Sequence, residues 1–175
     1  IFLPRLGWFD PLKNAFVEGS MPSMNLCWFG SDERYAYGAL THKLGNAVIY
    51  RWDFKTGETE PLAEIPDIMR YAFALTGSDK IVCVNLYGYF YAIDKNSGVI
   101  ETAVRLDSDA RGHVDCIWRI DDKRLLGTPF ITQRFFEINL SQNTSADLGR
   151  ATGGFGQVAQ VCELNGKIYM ASYTR

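Results

Sequence analysis

The sequence predicts an all-β fold built from repeated units of short antiparallel strands. Aromatic residues make up 14% of the 175 residues, and 16 residues are glycine. Aromatic side chains suit the half-buried surface of a sheet, and glycines suit the tight turns between short strands. No segment carries a convincing helical pattern. Short strands linked by tight turns are therefore the main predicted elements.

Two short motifs recur in phase along the chain, which is the signature of a repeat architecture. The first motif is a turn that contains Gly-Ser-Asp or a looser equivalent, at residues 30–34, 77–80, 120–123 and 164–167. The second motif is an apolar strand that ends in Asp or Asn, at residues 49–57, 90–98 and 135–140. Corresponding positions recur about every 43 residues, which is the length of one repeat unit.

Each repeat unit is predicted to hold four short strands. The predicted strands span residues 25–29, 35–40, 47–54 and 59–63; 71–75, 81–86, 89–93 and 99–104; 114–120, 124–127, 134–138 and 145–148; and 158–163 and 168–173. Four antiparallel strands in a repeat of about 43 residues match the strand number and length of a β-propeller blade. The sequence therefore predicts an all-β propeller of four-stranded antiparallel blades, of which about 3.5 are present. A β-sandwich is the alternative fold, and the phased repeat disfavours it.

The repeats divide the chain into an N-terminal segment and successive blades. Residues 1–24 form an apolar segment, which is expected to pack against the rest of the molecule or to belong to another blade. The predicted blades span about 25–66, 67–107, 108–150 and 151–175, and the last is incomplete. The chain begins at Ile1 without a signal-peptide pattern, so we expect a fragment or a processed chain. Since propellers close with four to eight blades, the remaining blades come from missing chain or from a second chain.

Two segments resemble the blades of known propellers. Tyr87-Gly88-Tyr89-Phe90-Tyr91-Ala92-Ile93-Asp94-Lys95-Asn96-Ser97-Gly98 resembles the repeat of PQQ-like, quinoprotein-type propellers. Trp52-Asp53-Phe54-Lys55-Thr56-Gly57 resembles the end of a WD40 repeat. The resemblance implies a propeller fold over roughly residues 25–175, without a specific family. The tryptophan-docking pattern of the quinoprotein repeat and the Gly-His element of WD40 are absent, so no catalytic residue and no cofactor is predicted from it.

Charge and hydropathy exclude two classes of partner. The formal net charge is -2, and binding to a phosphate backbone needs a basic surface, so no nucleic-acid partner is predicted. No apolar run approaches the roughly 20 residues of a membrane helix, so no membrane partner is predicted. No cluster of Cys and His has the spacing of zinc ligands, so no metal site is predicted.

The cysteines and two glycosylation sequons point to opposite compartments, so the localisation stays open. Each cysteine lies in an apolar stretch and is expected to be a buried thiol, which favours a reducing compartment. These residues are Cys27, Cys83, Cys116 and Cys162. The sequons Asn139-Leu140-Ser141 and Asn143-Thr144-Ser145 are relevant only in a secreted chain.

The candidate site is predicted on the propeller face that collects the inter-blade connections and the turns between second and third strands. Loops held by a rigid scaffold often carry binding residues, and this face is expected to hold both histidines of the chain. The predicted catalytic residues are His113, His42 and Tyr173. The predicted ligand-binding residues are Arg111, Arg70, Gln133, Arg134, Gln157 and Tyr87.

Two classes of function fit these residues. The first is a propeller that binds a small molecule, a saccharide or a protein partner through these loops. The alternative is a carbohydrate-active enzyme, in particular a lyase on acidic polysaccharide or oligosaccharide. It would use a His or Tyr base and arginines to hold the carboxylate. Binding is the leading hypothesis because no catalytic motif is present, and because both histidines also fit simple polar turns.

Overall fold

The structure is a computed structural model of the chain, and it describes residues 8–10, 15–17, 27–41, 46–66, 72–85, 87–106, 114–129, 133–150 and 156–174. Within these ranges every regular element is a β-strand. The strands are β1 (Trp8–Asp10), β2 (Ala15–Val17), β3 (Cys27–Ser31), β4 (Tyr35–Thr41), β5 (Ala47–Asp53), β6 (Thr59–Ile65), β7 (Ala72–Leu75), β8 (Lys80–Val84), β9 (Tyr89–Asp94), β10 (Ile100–Arg105), β11 (Val114–Arg119), β12 (Arg124–Pro129), β13 (Arg134–Asn139), β14 (Thr144–Arg150), β15 (Gly156–Leu164) and β16 (Lys167–Thr174). Every predicted strand is present, and its ends differ from the prediction by no more than two residues.

The strands form three four-stranded antiparallel sheets and two two-stranded sheets. Each four-stranded sheet pairs its strands in chain order, so that each strand is hydrogen-bonded to the next one along the chain. We call the sheets β3–β6, β7–β10 and β11–β14 blades 1, 2 and 3, and the sheet β15–β16 the half-blade. The β1–β2 pair forms a separate hairpin. The predicted all-β fold with four-stranded repeats is confirmed. The structure contains, in the ranges given above, no helix that could cross a membrane.

The hydrophobic core lies between neighbouring sheets. In β8 the side chains of Ile81 and Cys83 pack against blade 1, whereas Val82 and Val84 pack against blade 3. Successive side chains of a strand point to opposite faces. A strand that is covered on both faces therefore consists almost entirely of apolar residues, as Lys80–Val84 does. Each such interface removes apolar surface from water, which is the main favourable term in folding.

Each complete blade closes its last hairpin with the same side-chain cap. Asp94 Oδ1 accepts hydrogen bonds from the backbone N–H groups of Asn96 (3.1 Å) and Ser97 (2.7 Å). Asp53 and Asn139 make the equivalent pair of bonds at the same turn of blades 1 and 3. Asp and Asn favour turns because their side chains satisfy backbone donors two and three residues on. This capping explains why the second sequence motif ends in Asp or Asn.

The expectation that all four cysteines are buried is wrong. Cys83 is buried and Cys116 is half-buried, but Cys27 and Cys162 are exposed, and no disulfide joins any of them. Cys27 is the first residue of β3, and Cys162 lies on the half-blade, where residues 162–172 are exposed. Cys27 and Cys162 have apolar neighbours in the sequence but are exposed, because no described strand covers them.

Two glycines with positive φ provide a matched test of blade packing. Gly98 has φ 74° and Gly149 has φ 79°. Substitution of either glycine by alanine costs about 1–2 kcal/mol, because a residue with a Cβ disfavours positive φ. A Cβ at Gly98 would also collide with the backbone carbonyl of Leu62 in blade 1, whereas at Gly149 no heavy atom lies within 4 Å. We expect Gly98→Ala to lower the free energy of unfolding by about 1–3 kcal/mol more than Gly149→Ala does, because overpacking adds that penalty. Urea unfolding of both variants measures the difference, and equal losses would contradict this packing.

Candidate functional site

A cleft of about 490 Å³ lies where the first strands of the three blades end. Its apolar lining comes from Phe29, Ala74, Leu75, Ile117 and Trp118. Its charged lining comes from Asp32, Asp79, Lys95 and Arg119. These residues belong to β3, β7 and β11 and to the turns at that end of the sheets. We call this feature the inner-strand cleft. It lies at the opposite end of the sheets from the turns between second and third strands.

One lysine links two blades at the edge of the inner-strand cleft. Lys95 Nζ lies 2.7 Å from Asp32 Oδ2 in the first turn of blade 1, and 2.8 Å from Asp79 Oδ1 in the first turn of blade 2. The Tyr37 hydroxyl donates a further hydrogen bond to Asp32 Oδ2, at 2.8 Å. The Lys95 side chain is only 15% exposed. The cleft therefore has a fixed charged wall, which we call the Lys95 clasp.

Three groups of the Lys95 clasp, Asp32, Lys95 and Tyr37, have pKa values shifted away from neutral pH. Burial alone would raise the pKa of Asp32, but hydrogen bonds from Lys95 and from backbone N–H groups of its own turn hold that pKa well below its usual range. The hydrogen bonds to Asp32 and Asp79 raise the pKa of Lys95. Burial, followed by the bond to Asp32, raises the pKa of Tyr37. Because general acid–base catalysis needs a group that titrates near the working pH, these three groups suit recognition better than proton transfer.

On blade 3 the cleft carries a cation that is more exposed than Lys95. Arg119 forms an ion pair with Asp122, and the two side chains are 48% and 62% exposed. The hydroxyl of Ser78 in blade 2 donates a hydrogen bond of 3.1 Å to the backbone carbonyl of Asp122. The turns of blades 2 and 3 are thus held together. An exposed ion pair of this kind contributes little to stability, so the Arg119 guanidinium is available to a ligand at small cost.

The structure describes only part of the site that the sequence predicted. His42, Arg70, Arg111 and His113 lie outside the described residues. Tyr173 of β16 pairs through its backbone with Gln157 of β15, so two predicted site residues are cross-strand neighbours. Their roles in binding or catalysis stay predictions.

The other three predicted residues lie in blades 2 and 3, at the end away from the inner-strand cleft. Tyr87 is 59% exposed in the turn between the second and third strands of blade 2. Gln133 is 2% exposed and has φ 48° immediately before β13. Arg134 Nε donates a hydrogen bond of 2.7 Å to Asp147, and this bond is the main reason that the pKa of Asp147 is lowered. Their ligand-binding roles also stay predictions.

The residues of the inner-strand cleft were not among the predicted site residues. Asp32, Asp79 and Lys95 all lie in the two repeated motifs, which were interpreted as turn signals only. The motifs show that each blade has such a turn. They do not show that the lysine of one blade reaches the aspartate of another, because that contact depends on how the blades stack.

Comparisons with known proteins identify the fold. No protein-family model and no curated protein matches the chain. BamB from Moraxella catarrhalis is 15% identical, with a TM-score of 0.52, over 83% of this chain and 45% of that chain. Apo AztD from Citrobacter koseri is 14% identical, with a TM-score of 0.56, over 81% of this chain and 41% of that chain. The WD40 repeats of RRP9 are 9% identical, with a TM-score of 0.54, over 69% of this chain and 35% of that chain.

The chain is a β-propeller, as its sequence predicted, with structural neighbours among PQQ-like and WD40 propellers. The match spans less than half the length of each of these three structures, so this chain corresponds to part of their rings. At these identities the similarity shows the fold and assigns no family.

Replacement of Asp32 tests the Lys95 clasp through its pH dependence. A depressed folded-state pKa stabilises the protein above the unfolded-state value of about 4, and this stabilisation is lost as the pH falls below it. We expect Asp32→Asn to lower the free energy of unfolding by roughly 1–3 kcal/mol at pH 7. We also expect its stability to decrease less steeply than wild type between pH 4 and pH 2, which are the limits of the urea titrations that measure it. The exposed neighbour Asp79 provides the control, since Asp79→Asn should retain the steep decrease. A wild-type slope in Asp32→Asn would contradict the clasp.

Proposed function

We propose that this chain is a non-catalytic binding module within a β-propeller, and that its inner-strand cleft binds a segment of a protein partner. The proposal rests on the lining of the cleft, where apolar side chains lie beside charged side chains of both signs. Aromatic residues and arginine are enriched in protein interfaces and among their energetic hot spots. Trp118 and Arg119 of blade 3, which both belong to the lining of the cleft, supply these two residue types.

The charge balance of the cleft favours a protein segment over an acidic polysaccharide. Two carboxylates, Asp32 and Asp79, face two cations, Lys95 and Arg119, so the lining has no excess of positive charge. A polymer of uronates would need such an excess to neutralise its carboxylates. A peptide that carries an apolar side chain and charges of both signs matches the lining, because complementary charges across an interface set partner choice and register.

The protonation states in the cleft favour binding over catalysis. The pKa of Asp32 is lowered and the pKa values of Lys95 and Tyr37 are raised, so each of these pKa values lies further from neutral pH. Fixed charges of this kind hold and orient a partner. The lyase alternative depends on His113, His42, Arg111 and Arg70, which lie outside the described residues, and it stays a prediction.

Selection of peptides from a random library tests the proposal, with two arginines of blade 3 as a matched pair. Arg119 and Arg124 are 48% and 47% exposed, and each pairs with an aspartate three positions away. Only Arg119 lines the cleft. We expect peptides selected on the wild-type chain to bind Arg119→Glu at least about tenfold more weakly, a change of about 1.4 kcal/mol. Their affinity for Arg124→Glu should change less than about twofold, as measured by fluorescence polarisation.

A different pattern of affinities would overturn the proposal. Equal losses in both arginine variants would show a general charge effect. A loss confined to Tyr87→Ala would place binding on the opposite face, where the sequence analysis predicted it. Far-UV circular dichroism of each variant checks that the fold is intact.

A further inference from the structure

The first strands of blades 1, 2 and 3 end in residues of different chemistry. The last paired residue is Ser31 in blade 1, Leu75 in blade 2 and Arg119 in blade 3, and all three line the inner-strand cleft. Leu75 and Arg119 are equivalent by register, since each is opposite a residue six positions later, Ile81 and Leu125. The fold therefore accepts an apolar residue at this position, and strand pairing does not require the charge of Arg119.

A glycine of the preceding blade makes room for each of these two side chains. A Cβ at Gly30 would lie 2.8 Å from the Cβ of Leu75. A Cβ at Gly77 would collide with the Arg119 guanidinium and with the Asp122 carboxylate. Gly77 does not have a positive φ, so this glycine is needed for space and not for its backbone conformation. The space that it leaves therefore determines where the Arg119 guanidinium lies.

Of the two cations that line the cleft, Arg119 is the one that a ligand can reach. Lys95 is 15% exposed and is held by Asp32 and Asp79. Arg119 is 48% exposed, and its Nη2 donates a hydrogen bond to Asp122, which is itself 62% exposed. A guanidinium presents a planar fork of N–H donors that matches the two oxygens of a carboxylate. The Arg119 guanidinium can therefore bind a second carboxylate, or exchange Asp122 for one.

We infer that Arg119 binds a carboxylate of the partner segment, and that Gly77 is the positioning residue for its guanidinium. The inference rests on the proposed function of the inner-strand cleft and specifies one group of the ligand. Asp122 already places a carboxylate against this guanidinium, so the site accommodates that chemistry. Trp118 and Phe29 supply apolar lining in the same cleft, so the carboxylate lies near an apolar side chain of the ligand. An Asp or Glu side chain and a free C-terminus both supply such a group.

Peptides selected from a random library on the full 175-residue chain test this inference by loss of single charges. In the tightest-binding peptide each Glu is replaced by Gln, each Asp by Asn, and the C-terminus by its amide, one at a time. We expect one replacement to weaken binding to the wild-type chain about tenfold or more, as measured by fluorescence polarisation. The replacement that does so tells a side-chain carboxylate from a C-terminal one.

Arg119→Leu removes the charge and introduces the residue that blade 2 carries at the equivalent position. Because that residue fits the fold, we expect Arg119→Leu to remain folded by circular dichroism. The parent peptide and its amide derivative should bind this variant with equal, weaker affinity. This double-mutant cycle isolates the contact between the guanidinium and the carboxylate.

Two further variants test the roles of Gly77 and Asp122. Gly77→Ala displaces the guanidinium, so it should weaken the parent peptide at least about threefold and the amide derivative less. Asp122→Asn removes the competing carboxylate, so it should strengthen the parent peptide at least about twofold. Glu137→Gln makes the same charge change beside Arg124, outside the cleft lining, and should leave both affinities unchanged.

A photo-crosslinking residue in place of Asp79 shows whether the peptide lies in the cleft, whatever charge it carries. Asp79 lines the cleft and its side chain is 63% exposed. Capture of the peptide there, with no effect of any charge replacement, would overturn this inference and leave the proposed function standing. An acid-to-amide difference that persists in Arg119→Leu would overturn it in the same way. Absence of capture would overturn both.

Discussion

The structure depends on the face-to-face packing of neighbouring sheets. No single four-stranded sheet can bury both of its faces alone, so each blade is stable only beside another. Blade 2 shows this most clearly, since Ile81 and Cys83 face blade 1 while Val82 and Val84 face blade 3. The same packing brings the turns of successive blades together at the ends of the sheets. The inner-strand cleft is a consequence of that stacking.

Polar contacts between turns also hold neighbouring blades together at the end of the sheets where the inner-strand cleft lies. The Lys95 clasp joins blades 1 and 2, and the hydrogen bond from Ser78 to the Asp122 carbonyl joins blades 2 and 3. Clasp charges that are largely shielded from water are screened less by salt than exposed ones. They therefore give the cleft a fixed electrostatic pattern beside its apolar lining. A rigid pattern of this kind loses little conformational entropy on binding, which favours affinity.

The half-blade shows that the burial of a strand depends on the sheet beside it. β15 is covered by blade 3, and Val158 and Val161 are buried there, whereas Ile168, Tyr169 and Met170 of β16 are exposed. The strands differ in their neighbours more than in their composition. The same apolar content that forms a core inside the stack is thus exposed where no described strand covers it.

By itself the sequence determined the all-β class, the period of about 43 residues and the strand positions. These properties depend on local chemistry, such as the Asp94 cap, that is repeated within each blade. The tertiary structure decided the exposure of Cys27 and Cys162, and it decided that Lys95 meets Asp32, 63 positions away. The reason is physical: strand periodicity specifies which residues share a face of one sheet, but only the stacking of sheets brings residues of different repeats into contact.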